Sequence, residues 1–260
     1  MIRAYRSEWL KIRQPAMILG GAGSMIGFAI LAIVFTLRQL GSGGRDGRNL
    51  TATLVSANDG FAGLIANSTT FIGIVALAVF AIAIGMEYSN GTLRNLLVRQ
   101  PKRLHLLAGK ALALASFVTV AALLADGAAL ATATILAPHY GASTSAWFAG
   151  DGLWSLLTVA INLVLSTLAW GAFGAVLGVA LRSTASAVVI GLIYALPVEN
   201  LLTAAWSGGK HWLPGQLFNV IAQGGTSAVT YTSAATIVGI YLVIAVAFTA
   251  MLFQRRDVAN

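Results

Sequence analysis

Formal charge is concentrated in short clusters, and long apolar runs lie between them. Twenty-four uncharged residues separate Arg13 from Arg38, 27 separate Asp59 from Glu87, and the run from Gly152 to Leu181 holds 30. A helix needs roughly 20 mostly apolar residues, at about 1.5 Å rise each, to cross the hydrocarbon of a bilayer. The pattern predicts an all-α integral membrane protein with six spans, at about residues 17–37, 64–86, 112–136, 153–181, 185–198 and 232–253. The third contains an acid, Asp126, and the fifth is short. The stretch from Pro197 to Gly225 then mixes Glu199, Trp206, Gly208, Gly209, Lys210, Trp212 and Pro214. That composition suits a re-entrant or interfacial segment on the outer side, shielded by protein, before the last helix.

Ahead of the first span, Ile2, Tyr5, Trp9 and Ile12 follow 3, 4, 3 spacing. At 100° per residue they occupy an arc of about 80°, with Arg6 and Arg13 beside it, placed to reach lipid phosphates. Pro15 lacks a backbone donor and disfavours helix at Gln14, so residues 1–15 are expected to form an interfacial elbow helix ahead of a six-helix domain over 16–260. Gly23 and Gly27 in the first span, and Gly174 and Gly178 in the fourth, have the four-residue spacing that lets helix backbones approach.

Composition confirms the class. Only 16 basic and 8 acidic side chains occur, 9% of 260 residues, where a soluble domain carries about 25%. The mean hydropathy is +0.83. A net charge of +8 on a soluble domain would suit nucleic acid, but here the basic residues sit between apolar runs and not along one face, which argues against that partner. They read as topology. Twelve of the lysines and arginines fall at the N-terminal segment, after the second span, at Arg182 and after the last span; four (Arg38, Arg45, Arg48 and Lys210) fall on the other side. Positive loops stay inside, so both termini are expected in the cytoplasm of a multi-pass cell-membrane protein bathed in membrane lipid. Cysteine is absent, which removes disulfides, thiolate metal sites and cysteine nucleophiles.

The most informative loop is EYSNGTLRNLLVRQPKRLHLLAGK, residues 87–110. Glu87 ends the second span, Asn90 and Gly91 permit an irregular exit, Thr92 can cap a new helix, and Pro101 limits that helix to about residues 93–99. Leu93, Leu96 and Leu97 line one side of it, with Arg94, Asn95 and Arg99 elsewhere. A helix of two turns is marginal alone in water and needs a partner surface, protein or lipid. The order Glu87, Gly91, Thr92, Leu96, Leu97, Pro101, Arg103, Gly109, Lys110 resembles the loop between the second and third helices of ABC-2 type transporter permeases, and the six spans, basic elbow helix and irregular outer segment extend the resemblance over essentially the whole chain.

The resemblance implies a coupling helix that docks on a separate ATP-binding subunit. That role falls on Leu93, Arg94, Leu96 and Leu97, with Glu87 and Gly91 as hinge, Thr92 and Pro101 as its limits and Arg103 as an interface charge. It also implies a homodimer or heterodimer of permeases with two ATP-binding subunits, exporting a drug, peptide or lipid along a path bounded by the first, second and fifth helices. Candidate path residues are Ser68, Thr69, Thr70, Asp126, Glu199 and Asn200. ATP and magnesium would belong to the partner. A Walker motif needs Gly-Lys followed by Ser or Thr, whereas Gly109-Lys110 precedes Ala111 and Gly209-Lys210 precedes His211.

Other chemistry has little support. His105, His139 and His211 lie in separate segments without zinc spacing, and Asp126 has no second acid at its depth. No serine hydrolase elbow is present, so the chain is not expected to be an enzyme. Asp126 and Asn162 fall at similar depth, which predicts a hydrogen bond joining the third and fourth helices. The rival readings are a partner-independent secondary transporter or channel with Asp126 as its ion or proton site, and an immunity or sensory membrane protein.

Overall fold

A computed structural model describes residues 2–40, 50–89 and 103–255. It is 85% helix, with no strand among the described residues. Six helices are long and apolar enough to cross a membrane: α2 (Pro15–Arg38), α5 (Thr69–Ser89), α6 (Arg103–Leu136), α7 (Asp151–Leu181), α8 (Thr184–Ala205) and α11 (Tyr231–Arg255). Among the described residues the remaining helices are α1 (Ile2–Ile12) and four short ones, α3 (Ala52–Val55), α4 (Gly60–Ile65), α9 (Gly209–Trp212) and α10 (Pro214–Ala222), with two 3₁₀ turns over 137–140 and 145–148 in the α6–α7 connection. The end of the bundle that carries α1 is called basal below.

Local chemistry sets the breaks. Gln14 is extended (ψ 137°) and Pro15 opens α2, as a residue without a backbone donor does at a first helical turn. Residues 18–23 widen into a π-helical turn where three glycines remove side-chain packing, and the Ser24 hydroxyl donates to the Gly20 and Gly21 carbonyls there. The second span starts at Thr69, later than the hydropathy pattern places it. Leu64 belongs to a separate helix, and a turn at residues 66–68 intervenes: Ser68 donates its hydroxyl to the Ile65 carbonyl, Thr69 donates to Ala66, and Asn67 donates to the Thr36 hydroxyl at 3.1 Å. At the basal end, Arg182 adopts left-handed φ (52°) and Ser183 caps α8. The fifth span then runs past residue 198 to Ala205, because Pro197 is absorbed by a π-helical turn over Tyr194–Val198 instead of ending the helix.

Packing centres on α5 and α7, the most extensive helix pair. Gly171, Gly174 and Gly178 lie along the contact. A β-carbon at Gly174 would be driven into the Leu77 carbonyl, and one at Gly178 would stand 3.1 Å from Ile84 Cβ. Gly73 answers from α5, where a β-carbon would collide with the Trp170 indole. The pair at Gly23 and Gly27 behaves differently: nothing lies within 4 Å of a β-carbon at Gly27, so this pair makes no close approach inside the chain. A second seam joins α2 to α6, with large Met25, Ile33 and Leu37 against a row of Ala121, Ala125, Ala129 and Ala133, all buried. Far from the basal end, the Trp147 indole donates to the Val55 carbonyl at 2.9 Å and the Ser143 amide donates to Ser56 Oγ at 2.8 Å, which ties the two connections into one cap.

The last span is the exception to this close packing. In its most apolar window only 11% of α11 is buried, against 61% for α5. Before it, the chain leaves α8, forms α9, turns at Leu213 and re-enters the bundle as α10, whose Leu217, Phe218, Val220 and Ile221 are buried against α7 and α11.

The α5–α7 contact makes a direct prediction. Gly174→Val is expected to overpack the seam and cost at least about 1–3 kcal/mol, the usual range for inserted core methyl groups, whereas Gly27→Ala leaves stability unchanged. Thermal melting of the two variants in detergent distinguishes them, and equal melting would contradict the packing.

Candidate functional site

Two polar sites are built into this apolar frame. The first is basal. Lys110, in the second turn of α6, places its ammonium 2.7 Å from Glu87 Oε1 near the end of α5 and 3.0 Å from Glu8 Oε2 on α1. All three residues are buried, at 4%, 7% and 6% exposure. A buried ammonium between two carboxylates has each charge answered at hydrogen-bond distance, which offsets the desolvation that an isolated ion would suffer. Around it α1 lies against α6: Tyr5 and Ser116 share a hydrogen bond at 3.2 Å, Trp9 meets Tyr5 edge-on, and Ile12 is 3% exposed in the core. The apolar stripe of α1 therefore packs on protein, with Arg6, Leu10 and Arg13 left exposed.

Sequence reasoning identified Glu87 but missed Glu8 and gave Lys110 no ionic role. A signal for Glu8 was present. On the 100° wheel it falls about 40° from Ile12, at the edge of the apolar stripe, as the lone acid of a basic helix. Of the other residues assigned to coupling, Arg103 opens α6. Gly91, Thr92, Leu93, Arg94, Leu96, Leu97 and Pro101 lie outside the described residues.

The second site gathers on α10. Glu199, 2% exposed, accepts the Gln216 amide at 2.9 Å, with the Gly215 amide and the Tyr194 hydroxyl beside it. These amides belong to the first turn of α10 and have no intrahelical acceptor. Gly215 leaves room for the carboxylate and for the Trp170 ring, both of which a β-carbon would strike. Trp170 lies eleven residues from the end of α7, about 16 Å along its axis, so α10 begins at hydrocarbon depth, where no water can satisfy its amides. Thr70 donates to Asn219 Oδ1 at 3.1 Å and anchors the same helix to α5. Phe218 packs edge-on against Trp170, and Tyr241 of α11 donates to the Trp212 carbonyl at 2.8 Å.

The remaining path candidates are placed apart from this cluster. Ser68 and Thr69 are buried and bonded to backbone of their own turn. Asn200 is exposed and donates to the Leu196 carbonyl. Asp126 does not pair with Asn162 as its depth suggested: Asn162 Oδ1 accepts instead from the Tyr231 hydroxyl at 3.0 Å, because the chain after α10 brings the start of α11 beside that position. Among the described residues no three His, Asp or Glu side chains converge as metal ligands.

A family model described as "Protein of unknown function (DUF2705)" matches residues 50–259. The chain belongs to the DUF2705 family. A search of curated proteins finds no match. The DUF2705 match covers Glu87, Lys110, Asp126 and Glu199, while Glu8 and the first span precede it.

Both sites of this DUF2705 chain predict measurable losses. Lys110→Met leaves two buried carboxylates facing each other and is expected to destabilise by about 3–5 kcal/mol, with much of the loss recovered when Glu8→Gln and Glu87→Gln are added. Thermal melting of the single and triple variants tests this, and an unchanged melting temperature in Lys110→Met would remove the ionic junction from the account. Glu199→Leu strips the acceptor from the Gln216 amide of α10, at about 1–3 kcal/mol, while Glu199→Gln keeps an acceptor and should lose less. Faster proteolysis between residues 206 and 230 in the Leu variant alone is the expected signature.

Proposed function

We propose that this protein is the permease subunit of an ATP-driven exporter, similar to ABC-2 type permeases, that works as a homodimer or heterodimer with two separate ATP-binding subunits and moves a hydrophobic or amphipathic molecule across the cell membrane. The supporting observations are the six spans, the loop sequence from Glu87 to Lys110 and, above all, the buried Glu8–Lys110–Glu87 junction. In this reading both roots of the 90–102 loop are held: Glu87 fixes the strand of chain entering it, Lys110 fixes the chain leaving it, and Glu8 ties α1 to both.

Residues 93–99 act as the knob that a partner ATPase grips, with Leu93, Leu96 and Leu97 presented to its cleft, Arg94 and Arg103 as interface charges, and Thr92 and Pro101 setting its length. Nucleotide-driven closure pulls two such knobs together. The pull enters α5 and α6 at their basal ends through a junction that resists local shear, and it moves the spans as bodies. Shifting a two-state transporter from 1:99 to 99:1 needs about 5.5 kcal/mol of differential stabilisation, within what closure of two subunits around ATP supplies. The excess of basic residues on the basal side supports a cytoplasmic location for both termini and for the ATPases.

Purification from the native membrane tests the reading. A soluble ATPase is expected to travel with the protein and to change its hydrolysis rate on association, and Leu96→Asp should reduce the recovered ATPase at least tenfold while leaving the permease folded. Transport by the reconstituted protein alone, with no ATPase and no ATP, would replace the proposal with a secondary transporter or channel.

A further inference from the structure

Asp126 is 8% exposed and lies ten residues from the end of α6 at Leu136, about 15 Å along the helix axis. Its Oδ1 is enclosed without a hydrogen-bond partner. The ionisable groups of every described element packed on α6 are engaged elsewhere or lie at the wrong depth. On α6 itself no other ionisable side chain occurs from Ala111 to Pro138. α2, α5 and α7 carry ionisable groups only at their ends, Arg38 and Asp151 at the end of the bundle that holds Leu136, and Glu87 and Tyr88 at the basal end, and α4 holds none. The α11 span offers only Tyr231 and Tyr241 before its basal arginines, and their hydroxyls donate to Asn162 and the Trp212 carbonyl. At the ends of α6, Lys110 is held by Glu8 and Glu87, on the basal side with α1, and His139 bonds the Ile135 carbonyl.

A charge at the centre of a span costs at least about 2.5–3.5 kcal/mol, and an ion with an unanswered oxygen costs more. Glu199 shows how this chain keeps a buried carboxylate: it places the Gln216 amide on it at 2.9 Å. Asp126 has no such donor at Oδ1, and a single carboxyl without further oxygen or nitrogen ligands is a poor metal site. We infer that Asp126 is an intramembrane proton-binding site, occupied by a proton in the packed bundle. The bound proton converts the side chain to a neutral acid and removes the net charge from the span. The inference is independent of the ATPase reading, since it concerns the bundle alone and neither measurement below uses ATP.

Infrared difference spectroscopy of the full chain in lipid bilayers at neutral pH, wild type against Asp126→Asn, tests it. The expected result is a protonated-carboxyl C=O band in the wild type that shifts down on exchange into D₂O and is lost in the variant. Loss of carboxylate stretching bands in place of that band would overturn the inference. A second measurement needs only the wild type, should the variant fail to fold. A hydrophobic carbodiimide takes the acid proton on one nitrogen while the carboxyl oxygen bonds its central carbon, and acyl migration then gives an N-acylurea that retains every atom of both reactants. Peptide mass spectrometry should find this adduct at Asp126, and a water-soluble carbodiimide should give none there. An unmodified Asp126, or equal modification by both reagents, counts against the site.

Discussion

Hydrocarbon offers no hydrogen bonds, so every polar group carried below the headgroups must find its partner inside the protein. That constraint accounts for the least regular part of this fold. A chain that leaves its fifth span at Ala205 and re-enters as α10 creates a helix start at depth, with amides that water would otherwise satisfy. Glu199 fills that role from the neighbouring helix, and Thr70 engages Asn219 further along. The same constraint explains why hydroxyls in the turn before α5 bond back to their own carbonyls. It also explains why Lys110 is found between two carboxylates and not alone.

Within the frame, tightness is unevenly distributed. Glycines at 73, 171 and 174 bring α5 and α7 into contact that a β-carbon would break, with Gly178 nearly as tight, and dispersion and close packing replace the hydrophobic effect that lipid cannot supply between helices. The sixth span has little of this. It is held by α7, by α10 and by two tyrosine hydroxyls, and its outer surface is broadly apolar. Parts with few buried contacts are those that open at low free energy, so α11 is the element least constrained by the α5–α7 core.

Much of this architecture was legible in the sequence, for a physical reason: charge excluded from hydrocarbon marks span ends directly. The six spans follow from that one rule, while the extended break at Gln14 follows from Pro15 and the irregular segment after the fifth span from its mixed Gly, Pro and Trp composition. What the rule could not reach is partner choice. The uncharged run merges Leu64 with the second span because the turn at residues 66–68, Ala-Asn-Ser, carries no charge to mark a span end. The pattern stops the fifth span at residue 198 because the π-helical turn that accommodates the Pro197 ring has no compositional mark. Depth alone paired Asp126 with Asn162, yet two residues at one depth need not face each other, and Tyr231 arrived at Asn162 through a loop whose course depends on α10. The Glu8–Lys110 contact spans 102 positions and joins an N-terminal helix to the third span, a distance over which periodicity says nothing.

The two polar sites are joined by one element. α5 supplies Glu87 to the basal junction and Thr70 to the α10 contact, seventeen residues apart, or about 26 Å along a helix. Between them lie Gly73 and Leu77, whose contacts with Trp170 and Gly174 prevent α5 from sliding along α7 without separating from it. A displacement imposed on Glu87 therefore has two outcomes available. Either α5 and α7 move together as a rigid pair, carrying Trp170 and the Glu199 cap with them, or the seam opens and exposes glycine backbone to lipid. The second is costly because the seam's close contacts have no substitute in hydrocarbon. The first leaves α10 to adjust against α11, its most loosely held neighbour, so motion entering at the basal end is directed toward the re-entrant segment by the same glycines that make the core rigid.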